Sequence, residues 1–207
     1  GNSSPIVWKD KIFVTQATES TGRREVWCLD RKSGDVLWKN GTTYKGEEST
    51  HPTNPYCAAS PVTDGNHVVA TFGSAGVFCF DMEGALVWKK DLGPQKHMWG
   101  NASSPLIWKD RVFVYHGPGE EAFFVALSLK DGSEIWRQPK PEIDTSIRTD
   151  NFRGNANGVV CSFSAPILTE VETGPNSGRK ELIMRFPGQV LALAPGSGQT
   201  PWDCHGL

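Results

Sequence analysis

The sequence lacks any long apolar run. No stretch of its 207 residues approaches the roughly 20 consecutive apolar residues that a membrane-spanning helix needs. Long blocks of like charge are also missing, and 21 basic residues nearly balance 23 acidic ones. The chain therefore carries no sequence signal for a membrane span or for a nucleic-acid-binding surface.

Helical periodicity is absent as well. No segment repeats apolar residues at helical spacing over three turns. The apolar runs are short instead, as in KIFVT, HVVATF, RVFVY and ELIMRF, and Gly, Pro, Asp or Ser bound each of them. With 22 glycines and 14 prolines in the chain, this pattern predicts an all-β fold built from many short antiparallel strands.

A fourfold internal repeat organises these strands. Each unit opens with Ser-Pro or Ala-Pro and closes with a tryptophan, and the opening prolines recur at about 45–60 residues, a spacing typical of propeller blades. Each unit holds four strand patterns, named A to D in chain order. We predict four blades, which span residues 3–40, 59–90, 103–138 and 164–203.

The turn between strands C and D is the clearest element of the repeat. In CLDRKSGDVLW, Asp30 is suited to cap the turn amides, and Gly34 is suited to the positive φ that ends such a turn. A small residue before the turn leaves room for the closing ring. We predict that these tryptophans and turn glycines dock successive sheets. The residues are Trp38, Trp88, Trp136 and Trp202 with Gly34, Gly84, Gly132 and Gly198.

This repeat resembles that of the PQQ-like (quinoprotein-type) β-propeller proteins. Their tryptophan-docking motif reads Ala-x-Asp-x-x-Thr-Gly-x-x-x-Trp, and CLDRKSGDVLW departs from it only at Cys28 and Ser33. The resemblance covers essentially the whole chain. Segments such as HPTNPYCAASPVTDG and LGPQKHMWGNASSP resemble a subgroup of these bacterial proteins that is found mainly in planctomycetes.

The resemblance also implies an incomplete ring, because members of this family usually close with seven or eight blades. We expect the four blades to form part of such a propeller or half of an eight-bladed assembly. An open half-ring would expose two sheet faces, more apolar surface than a monomer normally tolerates. The partner is then a second copy of the chain, another protein or further blades, and the residues leave these alternatives open.

The connections from strand D to the next strand A are long and polar, at 40–60, 89–103 and 137–164. In a propeller these connections cross one face and reach the central channel, so we predict a ligand-binding face there. The alternative is that their polar residues only stabilise irregular loops. The candidate residues are His51, Asn54, Tyr56, His97, Trp99, Asn101, Arg148, Asn151, Arg153 and Asn155.

Other chemistry has less support in the residues. His51, His97 and Cys57 are metal-ligand types but stand at no zinc-like spacing, so we expect no metal. Cys28 and Cys79 are interpreted as small buried residues, whereas a disulfide among Cys57, Cys161 and Cys204 stays open. His116, which precedes the GPGEE hairpin, is interpreted as part of a solvated tip.

The resemblance and the residues together lead to two functional hypotheses. The first is a non-catalytic, extracytoplasmic binding or scaffold module without a cofactor. The second is an enzyme with a small-molecule or carbohydrate site on the channel face, where Trp99 would stack on a sugar ring. A quinone-dependent oxidoreductase is a further alternative. The quinoprotein dehydrogenases have an adjacent cysteine pair and a set of calcium ligands, and neither can be matched in this sequence. We therefore do not expect pyrroloquinoline quinone with calcium.

Overall fold

The computed structural model describes residues 2–143 and 161–206, and in them it contains sixteen strands and two short 3₁₀ turns but no α-helix. The 3₁₀ turns, Glu19–Thr21 and Gly73–Ala75, lie in the B–C hairpins of the first two sheets. The strands of the first two sheets are β1 Ile6–Trp8, β2 Lys11–Thr18, β3 Arg23–Asp30, β4 Val36–Thr43, β5 Val62–Thr63, β6 His67–Thr71, β7 Val77–Asp81 and β8 Leu86–Lys90. Those of the last two are β9 Leu106–Trp108, β10 Arg111–His116, β11 Phe123–Ser128, β12 Glu134–Pro139, β13 Ile167–Glu170, β14 Lys180–Phe186, β15 Gln189–Leu193 and β16 Trp202–His205.

The strands form four antiparallel sheets of four, each in simple chain order: β1–β4, β5–β8, β9–β12 and β13–β16. The predicted all-β propeller architecture is therefore confirmed. Each outer tryptophan lies opposite a small residue of the neighbouring strand, as Cys28 lies opposite Trp38 and Ala126 opposite Trp136. A register shift follows at once in both pairs, so the bulge sets the position at which the ring leaves the sheet.

The C–D turns are closed by their own side chains. Oδ1 of Asp30 accepts hydrogen bonds from the amides of Lys32 at 2.9 Å and Ser33 at 2.7 Å, and Gly34 follows with a φ of 79°. These bonds lower the pKa of the Asp30 carboxyl, because they favour its charged form. The sequence DRKSG thus forms the compact loop on which a ring from another sheet can rest.

Tryptophan rings join successive sheets. The indole Nε1 of Trp38 donates to the carbonyl of Met82 at 3.0 Å, that of Trp88 to Leu129 at 2.7 Å, and that of Trp136 to Pro195 at 3.0 Å. Each acceptor belongs to the C–D turn of the next sheet. The same interaction is therefore made three times, between the first and second, second and third, and third and fourth sheets.

The turn glycines lie directly under these rings. A Cβ atom added to Gly132 would lie 2.6 Å from Cε3 of Trp88, and one added to Gly84 would lie 2.5 Å from Cδ2 of Trp38. Both glycines also have a positive φ, which side chains rarely adopt. Two independent constraints therefore require glycine at this position of the repeat.

The hydrophobic core is divided into three layers, one between each pair of neighbouring sheets. Phe13 and Cys28 of the first sheet pack with Phe80 of the second, and Trp88 belongs to the layer between the second and third sheets. The third layer joins Phe113 and other residues of the third sheet to the fourth. Because both inner sheets are covered on both faces, their strands are apolar on successive residues rather than alternately.

Serine hydroxyls join the sheets at their inner edge. The amide of Ser4 donates to Oγ of Ser60, and the amide of Ser60 donates to Oγ of Ser104, both at 2.9 Å. Oγ of Ser103 donates to the carbonyl of Ser164 at 2.8 Å. The serines before each repeat proline thus link the inner strands of one sheet to those of the next.

The four sheets form an open arc and not a closed ring. At one end, a Cβ atom added to Gly34 would meet no atom within 4 Å, so no ring covers this turn. At the other end, Trp202 is 39% exposed and donates to Glu181 of its own sheet at 2.9 Å. In residues 2–143 and 161–206, no helix is long and apolar enough to cross a membrane.

All five cysteines are free thiols in this structure, and Cys204 alone among them is exposed. Burial raises the pKa of Cys28 to about 11 and that of Cys79 to about 12, so both remain protonated and behave as small apolar residues. The disulfide that the sequence left open among Cys57, Cys161 and Cys204 is not formed.

Replacing Trp88 with alanine should lower the free energy of unfolding by about 3–5 kcal/mol, because the ring is 7% exposed and fills the layer between two sheets. The matched control is Trp202→Ala, at the end of the arc, where the loss should be at most about 2 kcal/mol. Urea denaturation followed by circular dichroism measures both values. Equal losses would contradict the role assigned to inter-sheet docking.

Candidate functional site

The D–A connections and the B–C hairpins leave the sheets at the same end of the strands, and they enclose a cleft of about 720 Å³. Three segments form it: Glu47–Ser49 from the first D–A connection, Pro94–Met98 from the second, and 116–122 with the B–C hairpin of the third sheet. This volume lies within the range of small-molecule and cofactor pockets in proteins. The cleft is therefore the candidate functional site.

A buried Arg24–Glu48 ion pair holds the first segment in place. The two side chains are each 4% exposed, with Nη1 of Arg24 2.5 Å from Oε2 of Glu48. The same Nη1 donates to the carbonyl of Phe72 at 2.6 Å. The rings of Tyr44 and Tyr56 lie 4.6 and 4.3 Å from Cζ of Arg24, so cation–π contacts add to the charge pairing.

Glu48 makes further contacts that fix its position. Its Oε1 accepts the amide of Ser74 at 3.0 Å, and its backbone carbonyl accepts the hydroxyl of Tyr56 at 2.7 Å. Burial, together with the negative charge of Glu48, raises the pKa of Tyr56, so its hydroxyl remains a donor. One wall of the cleft is thus formed by a loop that is anchored to the first and second sheets.

Two asparagines hold the second D–A connection. Nδ2 of Asn54 donates to the carbonyls of Trp99 at 2.5 Å and Asn101 at 3.3 Å, which ties the first connection to the second. Nδ2 of Asn101 donates to Oε1 of Gln95 at 3.0 Å, and its Oδ1 accepts the amide of Ser103 at 2.8 Å. Both amide side chains are thus engaged in holding loop backbone and neighbouring side chains.

His97 is buried in the floor of the cleft. Its Nδ1 accepts the amide of Trp99 at 3.1 Å, so in the neutral ring the proton is assigned to Nε2, which lies 3.4 Å from Sγ of Cys161. The imidazole therefore faces the thiol as a donor. A general base or a metal ligand would need Nε2 without its proton, so this arrangement favours a structural role.

His116 also belongs to the floor and is 4% exposed, so the interpretation of it as part of a solvated tip was wrong. Neither ring nitrogen has a hydrogen-bond partner of good geometry, although the nearby Gly93 backbone favours the charged form. Burial is the dominant effect and lowers the pKa of His116 to about 4, with a smaller contribution from the positive charge of Arg137. The ring is neutral at pH 7.

The candidate residues predicted from the sequence are distributed unevenly around this cleft. Among those that the structure describes, His97 lines it, whereas His51 lies in the exposed part of the first connection and contacts Thr53. Four other candidates do not line the cleft but hold its loops in place through the contacts given above: Asn54, Tyr56, Trp99 and Asn101. Four further candidates lie outside the described residues: Arg148, Asn151, Arg153 and Asn155.

Several residues that form the cleft were not predicted from the sequence. Gln95 stands two positions before the predicted His97, and the pair Glu120 and Glu121 was noted only as part of a hairpin. Arg24 is one of three consecutive charged residues at the start of β3, Arg23–Glu25, so no local signal marked it as buried. Within residues 2–143 and 161–206, no three His, Cys, Asp or Glu side chains are grouped so that they could hold a metal ion.

Comparison with known proteins relates this architecture to others. The model of the family described as outer membrane protein assembly factor BamB matches residues 22–204. None of the curated proteins compared with the chain matches it.

Solved structures share the fold at low sequence identity. A quinohemoprotein alcohol dehydrogenase, ADHIIG from Pseudomonas putida HK5, aligns over 99% of this chain and 34% of its own, with a TM-score of 0.65 and 14% identity. BamB from Moraxella catarrhalis aligns over 99% and 49%, with a TM-score of 0.59 and 14% identity. A europium-containing methanol dehydrogenase aligns over 97% and 41%, with a TM-score of 0.61 and 13% identity. The chain thus spans between a third and a half of these structures.

Replacing Glu48 with glutamine should lower the free energy of unfolding by about 3–5 kcal/mol, because Arg24 would remain buried without its counter-charge. The control is Glu134→Gln, which breaks the more exposed pair with Arg137 and should cost less than about 1 kcal/mol. Urea denaturation at pH 7 measures both. Similar values for the two variants would show that the buried pair does not anchor the loop.

The stability of the chain should fall between pH 6.5 and pH 4 because His116 must be neutral in the folded state. Its folded pKa of about 4 lies below the ordinary value of 6.5, so its contribution is complete above pH 6.5 and is lost as the pH falls towards 4. The loss amounts to roughly 3 kcal/mol. Urea denaturation at several pH values between 4 and 7 measures this loss. The loss should disappear in His116→Leu and persist in the exposed-site control His51→Gln. If the free energy of unfolding depends on pH in both variants as it does in the original chain, His116 is not the group responsible.

Proposed function

We propose that this chain, which belongs to the family of the outer membrane protein assembly factor BamB and is a PQQ-like β-propeller, is a non-catalytic binding module. Its cleft holds a protein partner. The observation that carries the proposal is a cleft whose walls are already fixed. The Arg24–Glu48 pair and the amides of Asn54 and Asn101 hold these loops before any partner arrives. A fixed site binds without the cost of ordering its loops.

The state of the buried side chains favours binding over catalysis. Nε2 of His97 faces the Cys161 thiol as a donor, and the neutral His116 has a pKa far below physiological pH. General acid–base catalysis works best with a group that titrates near the operating pH. The polar residues of this face therefore support a structural and recognition role.

An extracytoplasmic location is part of the proposal. Its support is the description of the family, whose named member is an assembly factor for outer membrane proteins. Such a module acts by presenting a rigid surface to another protein. We also predict that a second copy, another protein or further blades complete the ring. The two ends to be joined are then the uncovered turn at Gly34 and the exposed ring of Trp202.

A small-molecule or carbohydrate site is the second candidate, and the volume of the cleft supports it. The placement of Trp99 does not favour sugar stacking, because its ring packs against His97 and Phe163 with centroids 5.7 and 6.2 Å away. We do not expect pyrroloquinoline quinone in this cleft. That cofactor carries three carboxylates, and the carboxylates of Glu120 and Glu121 line the same cleft and would repel it.

Site-specific photo-crosslinking tests the proposal. A benzophenone amino acid replaces Met98, which is 56% exposed at the cleft, and the matched control carries it at Lys32 in the C–D turn at the opposite end of the strands. With the envelope fraction of the source cells, we expect a defined protein adduct from position 98 and not from position 32. The adduct should form again with the purified partner. No adduct, or equal adducts from both positions, would refute a protein-binding cleft.

A further inference from the structure

We propose that a second copy of this chain completes the ring, with the fourth sheet of each copy docked on the first sheet of the other. This inference rests on the ring completion predicted above and selects one of the three partners left open there. It concerns the two ends of the arc and does not involve the cleft. Three features lead to it: two uncovered apolar faces, a docking ring with a turn that fits it, and the charges beside them.

The first sheet has an apolar face that no described sheet covers. In each of the other three sheets, strands B and C present four apolar residues to the sheet before, and all of these are at most 5% exposed. They are Val68, Ala70, Phe78 and Phe80, then Val112, Val114, Val125 and Leu127, then Leu182, Met184, Leu191 and Leu193. Four residues hold the same ladder positions in the first sheet, and none of them is buried: Ile12, Val14, Trp27 and Leu29.

The fourth sheet has the complementary face. In the first three sheets, a row of four paired residues that ends at the docking tryptophan packs against the following sheet, as Phe13, Cys28 and Trp38 do. The same row of the fourth sheet consists of Ile167, Ile183, Ala192 and Trp202. Its two end members are 59% and 39% exposed, because no sheet follows within the described residues.

The ring and the turn at the two ends also fit each other. Inside the chain, each docking indole donates to the first carbonyl after the capping position of the next C–D turn. In the first turn that carbonyl belongs to Arg31, and the space over Gly34 is open. Trp202 has no such turn in its own chain, and its Nε1 donates to Glu181 at 2.9 Å instead. At the junction it donates to the carbonyl of Arg31 in the second copy.

The charges beside this contact match across the two ends. In the first sheet Lys11 donates to the carbonyl of Met82 in the next turn at 2.8 Å, and Arg111 makes the equivalent contact from the third sheet. Glu181 holds this position in the fourth sheet, so a carboxylate stands where the others have a cation. The first C–D turn is the one that carries two adjacent exposed cations: Arg31 and Lys32.

Docking frees one carboxylate oxygen for these cations. Oε1 of Glu181 is held by Arg179, whereas Oε2 accepts the indole of Trp202. Once the indole moves to the turn carbonyl, Oε2 can accept a charge-assisted hydrogen bond from the turn. Another protein would have to bring both a docking ring and such a turn, whereas a second copy carries both. Two copies related by a two-fold axis form two identical junctions and leave no end free.

Light scattering of the whole chain after size exclusion measures its mass in solution. Between about 1 and 100 μM, we expect the mass to rise from that of one chain to that of two and no further, because association follows mass action. A single-chain mass throughout would refute the second copy and favour another protein or further blades. A series of larger species would contradict a closed ring of two.

Gly34→Asn tests the seat of the ring. Asparagine tolerates a positive φ and the space there is open, so the single chain should fold. Its side chain would fill the seat, since an added Cβ lies only 2.5 Å from the ring at Gly84 and 2.6 Å at Gly132. The dimer should dissociate at least about tenfold more readily. The matched control Gly93→Asn, also with a positive φ and open space but between the second and third sheets, should leave dimerisation unchanged.

Trp202→Ala tests the other side of the junction and should also weaken the dimer at least about tenfold. Its control is Met98→Ala, which removes an exposed side chain at the cleft and should leave the mass unchanged. The small loss of unfolding free energy predicted above for Trp202→Ala applies to the single chain, at concentrations too low for the dimer.

Equal dissociation of Gly34→Asn and Gly93→Asn, or of Trp202→Ala and Met98→Ala, would overturn this inference. If Gly34→Asn fails to fold, as circular dichroism would show, Trp202→Ala decides. The binding cleft is tested separately, by the adduct from position 98. A protein adduct together with a single-chain mass would refute the second copy alone, whereas a dimer without an adduct would refute the proposed function alone.

Discussion

The contact between a tryptophan ring and a turn glycine is the interaction on which the rest of this structure depends. Trp38, Trp88 and Trp136 each leave their own sheet and rest on the C–D turn of the next, with one hydrogen bond to a turn carbonyl. Among the sixteen strands of residues 2–143 and 161–206, no strand of one sheet pairs with a strand of another. Their relative positions are therefore set by ring docking, by the apolar layers and by the serine contacts at the inner edge.

A stack held in this way positions the loops at one end of the strands without specifying what they do. The first connection is anchored by the Arg24–Glu48 pair, whose partners come from a strand of the first sheet and from the connection that leads to the second. Desolvation of two charges is expensive, so the pair is a weak source of stability but a strong constraint on loop position once formed. The position of the first connection, which this ion pair holds, sets the shape of one wall of the cleft.

Similarity of fold does not transfer chemistry to this chain. The solved structures that share its architecture include alcohol dehydrogenases and an assembly factor, all at 13–15% identity. What they have in common with this chain is the fold, and a fold by itself does not determine chemistry. The candidate site of this chain lies in the loops, where Gln95 and His116 are buried beneath an acidic rim.

The sequence by itself determined the strands, the repeat and the all-β propeller fold, because turn glycines, capping aspartates and closing tryptophans are local signals that recur with a fixed period. It also located the connections that enclose the site. Only the tertiary structure decided which side chains meet. Arg24 and Glu48 lie 24 positions apart in the chain, and His116 is buried with its ring centroid 5.1 Å from that of Phe123 and its ring close to the Gly93 backbone of the second D–A connection. Burial and pairing at such distances follow from how sheets pack, which no local pattern encodes.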